Sequence, residues 1–138
     1  MTGNVSSRHD WRKVPIEGYV DLIGPLLSRR EKGRKIYGLH TGQQHQNALG
    51  SVHGGVITGL LDQVIAMEAW KAADRQPTVT VQMDTRFISA AKSGDLIEAH
   101  ATIRHGSGSM MFVDADLVSG DRLVATATAV MKIVRKAD

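Results

Sequence analysis

One stretch of the chain, Asn47 to Trp70, "NALGSVHGGVITGLLDQVIAMEAW", holds the residues whose types and spacing could do chemistry. Asp62 stands in the middle of the only long apolar pattern of helical period, and a carboxylate can act as a general base or a nucleophile. His53-Gly54-Gly55 opens that pattern. The first backbone N–H groups of a helix lack partners within it and sit at the positive end of its dipole. Glycine lets a ligand oxygen come close to them, which is the geometry of an oxyanion hole for a polarised carbonyl. The plainer readings are an aspartate on the wet side of an amphipathic helix and a glycine-rich tight turn. Two features weigh against the first. Aspartate is a poor residue in a helix interior, and the rest of its strip, Gly55, Thr58, Gly59, Ala66 and Ala69, is small and nearly apolar.

Gly55 and Asp62 are seven residues apart, a separation of about 10 Å along a helix axis. A base or nucleophile must stand about 3 Å from the reacting atom. One helix therefore cannot bring both groups to one substrate. Two copies packed antiparallel about a two-fold axis can, if both groups are catalytic: each helix start then faces the carboxylate of its partner, and a dimer carries two sites.

The elements that must position these groups follow from periodicity. "PIEGYVDLIGPLL" (Pro15 to Leu27) predicts a short helix stopped by Gly24-Pro25, and Gly33 to Gly42 a first strand. The long helix runs from about Gly54 to Ala73 and ends before Pro77. Thr78 to Ile88 alternates, with Val79, Val81, Met83, Thr85 and Phe87 on one face and Thr80, Gln82, Asp84 and Arg86 on the other. Leu96–His105, Met110–Val118 and Leu123–Val134 follow as strands; the inward set of the last begins with Leu123, Ala125 and Ala127. Their short connections imply antiparallel neighbours. The expected class is α+β: an antiparallel sheet of five to six strands, one long helix and a short N-terminal helix. Alanines on the last two strands leave room for the long helix. Residues 1–14 are expected to be a flexible segment and residues 15–138 a single domain.

Composition narrows the function classes. The absence of cysteine excludes disulfides, thiolate metal sites and a cysteine nucleophile, and it fits a cytoplasmic chain. The net charge of +3 is modest. One denser basic run, Arg29, Arg30, Lys32, Arg34 and Lys35, contains no interleaved aromatic residue, so nucleic acid is not an expected partner. No apolar run approaches the roughly 20 residues of a membrane span, and the N-terminus lacks the apolar core of a signal peptide. The six histidines show no metal-ligand spacing, so no metal is expected. Ser51, Ser107 and Ser109 lack the strand–turn–helix setting of a hydrolase nucleophile.

The motif Asn47-x5-His53-Gly54-Gly55-x6-Asp62, with the strand "TVTVQMDTRFISAAKSGD" and the "EGYVDLIGPLL" segment, resembles the hotdog-fold acyl-CoA thioesterases. The likeness is to the phenylacetic acid degradation type, related to 4-hydroxybenzoyl-CoA thioesterase, and covers about Glu17 to Val134. It implies a long helix wrapped by an antiparallel sheet and a site between two subunits of a homodimer or a dimer of dimers. It also implies that the backbone N–H of Gly55 holds the thioester carbonyl, that Asn47 and His53 orient the thioester or water, and that Asp62 of the partner subunit is base or nucleophile. Thr80 falls where relatives place a small hydroxyl residue that assists the acid. Some relatives carry glutamate at the acidic position. Gly54, Arg104, Ser107 and Ser109 are the residues expected to touch coenzyme A, which is part of the substrate, so no separate cofactor is implied. Two alternatives stand beside hydrolysis: a non-catalytic acyl-CoA or aromatic-ligand module, and a hydratase or dehydratase on the same fold, whose usual motif differs from the HGG pattern.

Overall fold

The computed structural model of the protein describes residues 10–134. Apolar residues at helical spacing form the helix α2 (Gly54–Ala72), ahead of the break at Pro77. Before it come β1 (Arg12–Lys13), α1 (Tyr19–Ile23), β2 (Leu27–Glu31), β3 (Arg34–His40) and a single 3-10 turn (Gln43–His45); after it come β4 (Thr78–Phe87), β5 (Leu96–Ser107), β6 (Met110–Ser119) and β7 (Arg122–Ile133). The strands form one antiparallel sheet in the order β1-β2-β3-β5-β6-β7-β4. Leu60, Leu61, Val64, Ile65 and Ala69 of α2 are buried in the same core as Ile97, Ala99, Val113, Leu117 and Met131 of the sheet. Each large side chain so buried contributes about 1.5–3 kcal/mol. The alanines of β7, Ala125, Ala127 and Ala129, are buried beneath the helix layer as small spacers.

Several expectations are corrected. The sheet has seven strands, because β1 and β2 precede the expected first strand: Arg29 and Arg30 of the basic run belong to β2 and pair as a hairpin with Arg34 and Lys35 of β3, the strand expected from Gly33. Charged residues near the sheet edge hid β2 from a reading by apolar alternation. Arg12 and Lys13 pair with β2, and Val14 is buried, so this part of the expected flexible segment is held in place; residues 1–9 lie outside the described residues. The first helix is only five residues long, starting at Tyr19 after Gly18 at φ 90. A bulge in β4 between Thr80 and Gln82 exchanges its faces. Val79 and Val81 are therefore exposed rather than inward, while Met83 beyond the bulge packs on the core. A second irregularity, opposite Leu117–Val118, leaves Leu123 on the surface and buries Val124 in its place.

The far face of the sheet carries a buried ion pair. Arg29 donates through its two terminal nitrogens to Glu31 (2.8 Å) and Glu98 (2.7 Å), and its guanidinium lies 5.1 Å from the centre of the Trp11 ring. Trp11 in turn covers Gly38, where a Cβ would stand 2.7 Å from the indole. Glu98 is 8% exposed and the Arg29 side chain 9%. Removing one partner of such a pair leaves a buried charge uncompensated, which costs about 3–5 kcal/mol. Glu98→Ala is expected to destabilise by about 3 kcal/mol, the low end, since Glu31 remains. Chemical denaturation measures it, and a loss under about 1 kcal/mol would contradict burial of the pair.

Candidate functional site

The loop before α2 is built by Asn47. Its Oδ1 accepts the N–H groups of Leu49 (2.9 Å) and Ser51 (3.1 Å), and Gly50 takes φ 85 to close the turn. The returning chain delivers His53 as the N-cap of α2, with its own N–H donated to the carbonyl of His45 at 2.7 Å. His45 is buried: its Nδ1 accepts from Gly42 N–H and its Nε2 bonds the Ile23 carbonyl, which ties α1 to this loop. It is a structural histidine.

His53 Nδ1 accepts the N–H of Gly55 at 2.8 Å. The N–H expected to meet a carbonyl thus donates to an exposed imidazole in this structure. Val56 and Ile57 N–H both turn to the His53 carbonyl, at 2.9 and 3.2 Å. Among the described residues, the first-turn donor left open is the Gly54 N–H, one residue earlier. Gly54 and Asn47 line a cavity of about 400 Å³, whose walls are otherwise largely apolar and include Val52, Ile57, Phe87 and Ile88. Phe87 lies 3.4 Å from where a Gly54 Cβ would stand.

Asp62 is half-buried two turns along α2, and its Oδ1 accepts the Thr80 hydroxyl at 2.7 Å. The β4 bulge makes this bond: without it Thr80 would share a face with Gln82 and Asp84 and point away from the helix. The second carboxylate oxygen remains for a water or a substrate proton. The structure thus brings together Asn47, His53, Gly54 and Gly55 at one end of the helix, and Asp62 with Thr80 further along it.

Of the residues expected to touch coenzyme A, it brings Gly54 there but not Arg104, Ser107 or Ser109. Arg104 pairs with Asp114 at 3.5 Å, and Ser107 and Ser109 flank the β5–β6 turn. That turn reaches Ile133, which pairs with Thr78 at the start of β4, whereas Phe87 at the other end of β4 touches Gly54. Within one chain the two groups lie at opposite ends of the sheet.

Sequence reasoning missed Tyr19, read there only as an apolar position of the first helix. Its ring covers Gly59, where a Cβ would meet it at 2.8 Å, and its hydroxyl lies 3.4 Å from the Gly55 carbonyl. The small residue on the strip of Asp62 was the available signal, since close approach needs a missing Cβ. Among the described residues no group of three or more histidine and carboxylate side chains could hold a metal ion, and no helix is long and apolar enough to cross a membrane.

Comparison with known proteins adds three findings. Residues 49–126 match a family model described as "Thioesterase superfamily". The Pseudomonas aeruginosa protein named "Putative esterase PA0474" is 34% identical over 83% of this chain and 87% of its own length, and human "Acyl-coenzyme A thioesterase 13" is 29% identical over 63% of this chain and 62% of its own. A Bacillus halodurans protein, solved with CoA, superposes with a TM-score of 0.81 at 24% identity, over 90% of this chain and 83% of that one.

Proposed function

We propose, from the premise that this chain belongs to the thioesterase superfamily and has its hotdog fold, that it hydrolyses an acyl- or aryl-CoA thioester to the free acid and coenzyme A. What carries the reading is a single helix that presents both an open N–H at its start, Gly54, and a half-buried carboxylate held by Thr80. The apolar cavity beside Gly54 accepts the acyl group. The Gly54 N–H and the helix dipole stabilise the oxyanion as water adds to the carbonyl. The attacking water comes from the side of Asp62 of the partner subunit, which takes its proton as general base while Thr80 holds the other oxygen of that carboxylate. The C–S bond then breaks, and the proton passes to the departing thiolate.

Assembly into a homodimer is part of the proposal. Gly54 and Asp62 are eight residues apart on one helix, about 12 Å, so a single chain cannot serve both ends of the reaction. β4 supports the pairing, being an edge strand with Val79 49%, Val81 56% and Phe87 56% exposed. An unpaired, apolar edge of that kind is a template for another strand. The narrower placement with phenylacetic acid degradation enzymes, and the kinship to 4-hydroxybenzoyl-CoA thioesterase, rest on the Asn47-to-Asp62 motif.

The test is a panel of acyl- and aryl-CoA thioesters read with a thiol-reporting dye. The expected result is release of one thiol per thioester on at least one member. Tight binding across the panel with no thiol release would replace the enzyme by a ligand-binding module.

A further inference from the structure

The basic hairpin of β2 and β3 is not used by this chemistry. Arg30 and Lys35 are cross-strand partners, and Arg12 reaches the same side from β1, opposite Ser28. With Arg29, Ser28 and Asp10 they line a cavity of about 470 Å³. The Lys35 ammonium lies 5.9 Å from the centre of the Tyr37 ring. Tyr37 donates its hydroxyl to Glu68 at 3.1 Å, and Glu68 pairs with Lys71, so the cavity adjoins the last turns of α2.

The charge around it is unbalanced. Arg12, Arg30 and Lys35 share this side of the sheet, while Arg29 turns its guanidinium to Glu31 and Glu98 on the other; the acid among the lining residues, Asp10, makes a long, exposed contact with Arg12 at 3.8 Å, of the kind that contributes little. Glu68 faces Lys71, and Glu31 and Glu98 face Arg29. Lys35 is held below the usual lysine range, first by burial and then by the nearby charges of Lys71 and Arg30, with Glu68 acting in the opposite sense. Crowded cations with little acid to balance them suit an anion with several oxygens, and arginine forks match phosphate.

We propose that this cavity binds a phosphate-bearing small molecule, contacted by Arg30 and Lys35 and flanked by Arg12. The place is separate from the Asp62–Thr80 pair of the same chain. β2 and β3 lie toward the sheet edge opposite β4, and Lys71 is nine residues beyond Asp62, about 14 Å along the helix and half a turn round it. The inference does not depend on hydrolysis. The phosphate comes either from the nucleotide end of a coenzyme A molecule engaged elsewhere in the assembly or from a free phosphorylated metabolite.

Calorimetric titration of the full chain distinguishes these. Pyrophosphate, adenosine 3′,5′-bisphosphate, CoA and dephospho-CoA are the probes, with Arg30→Ala/Lys35→Ala as the variant and a thermal melt as its folding check. Pyrophosphate or the bisphosphate is expected to bind the wild type, to weaken as salt rises, and to lose about tenfold or more in the variant. Asp62→Asn should bind them as the wild type does. A loss of CoA affinity that spares dephospho-CoA identifies the 3′-phosphate of CoA; a loss confined to pyrophosphate and the bisphosphate identifies a free metabolite. Equal binding of all four probes by wild type and variant, or no binding of any of them by the wild type, overturns the proposal. If the double variant melts early, Arg30→Ala alone, at an exposed position, is read the same way.

Discussion

Asp62→Asn is expected to lower turnover of the best acyl-CoA substrate by about 10²–10⁴-fold, the range of a positioned general base. The substitution keeps shape and removes only the basicity. An amide oxygen still accepts the Thr80 hydroxyl, now at 2.7 Å from the carboxylate, so the helix and the β4 bulge need not move. Equal far-ultraviolet circular dichroism and thermal midpoint would show that the fold survives. Thr80→Val provides the graded control: it removes one charge-assisted hydrogen bond and should slow turnover by about tenfold to a hundredfold. Near-normal hydrolysis by Asp62→Asn would sink the mechanism, whatever the substrate.

The second large effect concerns the other end of the helix. Gly54→Pro removes the single N–H proposed to hold the oxyanion, and few positions tolerate proline so well. Gly54 is the first residue of α2, where a missing N–H breaks no helical bond. His53 already has φ −62 and ψ 138, the extended conformation that a residue before proline prefers. A side chain at Gly54 meets Phe87 at 3.4 Å, an ordinary contact. The expected loss is about 10²–10³ in kcat with little change in stability, as for an oxyanion-hole donor. Were Gly55 the working donor, Gly54→Pro would be nearly silent. The two variants also test the shared site. Neither is active alone, but reassembled in equal amounts they form mixed dimers in which one site pairs an intact Gly54 with an intact Asp62. About a quarter of wild-type activity should return. Sites confined to one chain would give none back.

His53 explains why the helix start was only partly legible. Spacing placed the helix start at His53-Gly54-Gly55, where the structure has it, and orphan N–H groups there follow from helix geometry alone. Which donor stays open depends on where a neighbouring imidazole settles, and the Gly55-to-His53 bond is a fact of side-chain conformation. Thr80 shows the same limit from the strand side. Strict alternation puts it on the face opposite Met83, and both residues do face inward only because a bulge intervenes between them. A single extra residue reverses every subsequent side chain, and nothing in "TVTVQMDTRF" announces it. The basic run failed for a different reason. Its first half is too poor in apolar residues for a strand by periodicity, yet Arg29 is buried in β2 because Glu98 and Glu31 meet it from β5 and β2.

What the sequence determined by itself was the long helix with its glycine start and mid-helix carboxylate, the four long strands after it, and the need for two chains if both groups act. Those rest on period and spacing, which are properties of consecutive residues. The tertiary structure decided the rest: Gly54 as the open donor, Thr80 at Asp62, Tyr19 across Gly59, and a basic cavity at the sheet edge opposite β4. Each joins residues that periodicity cannot relate, because their contacts are set by the packing of one element on another or by a local departure from regular geometry.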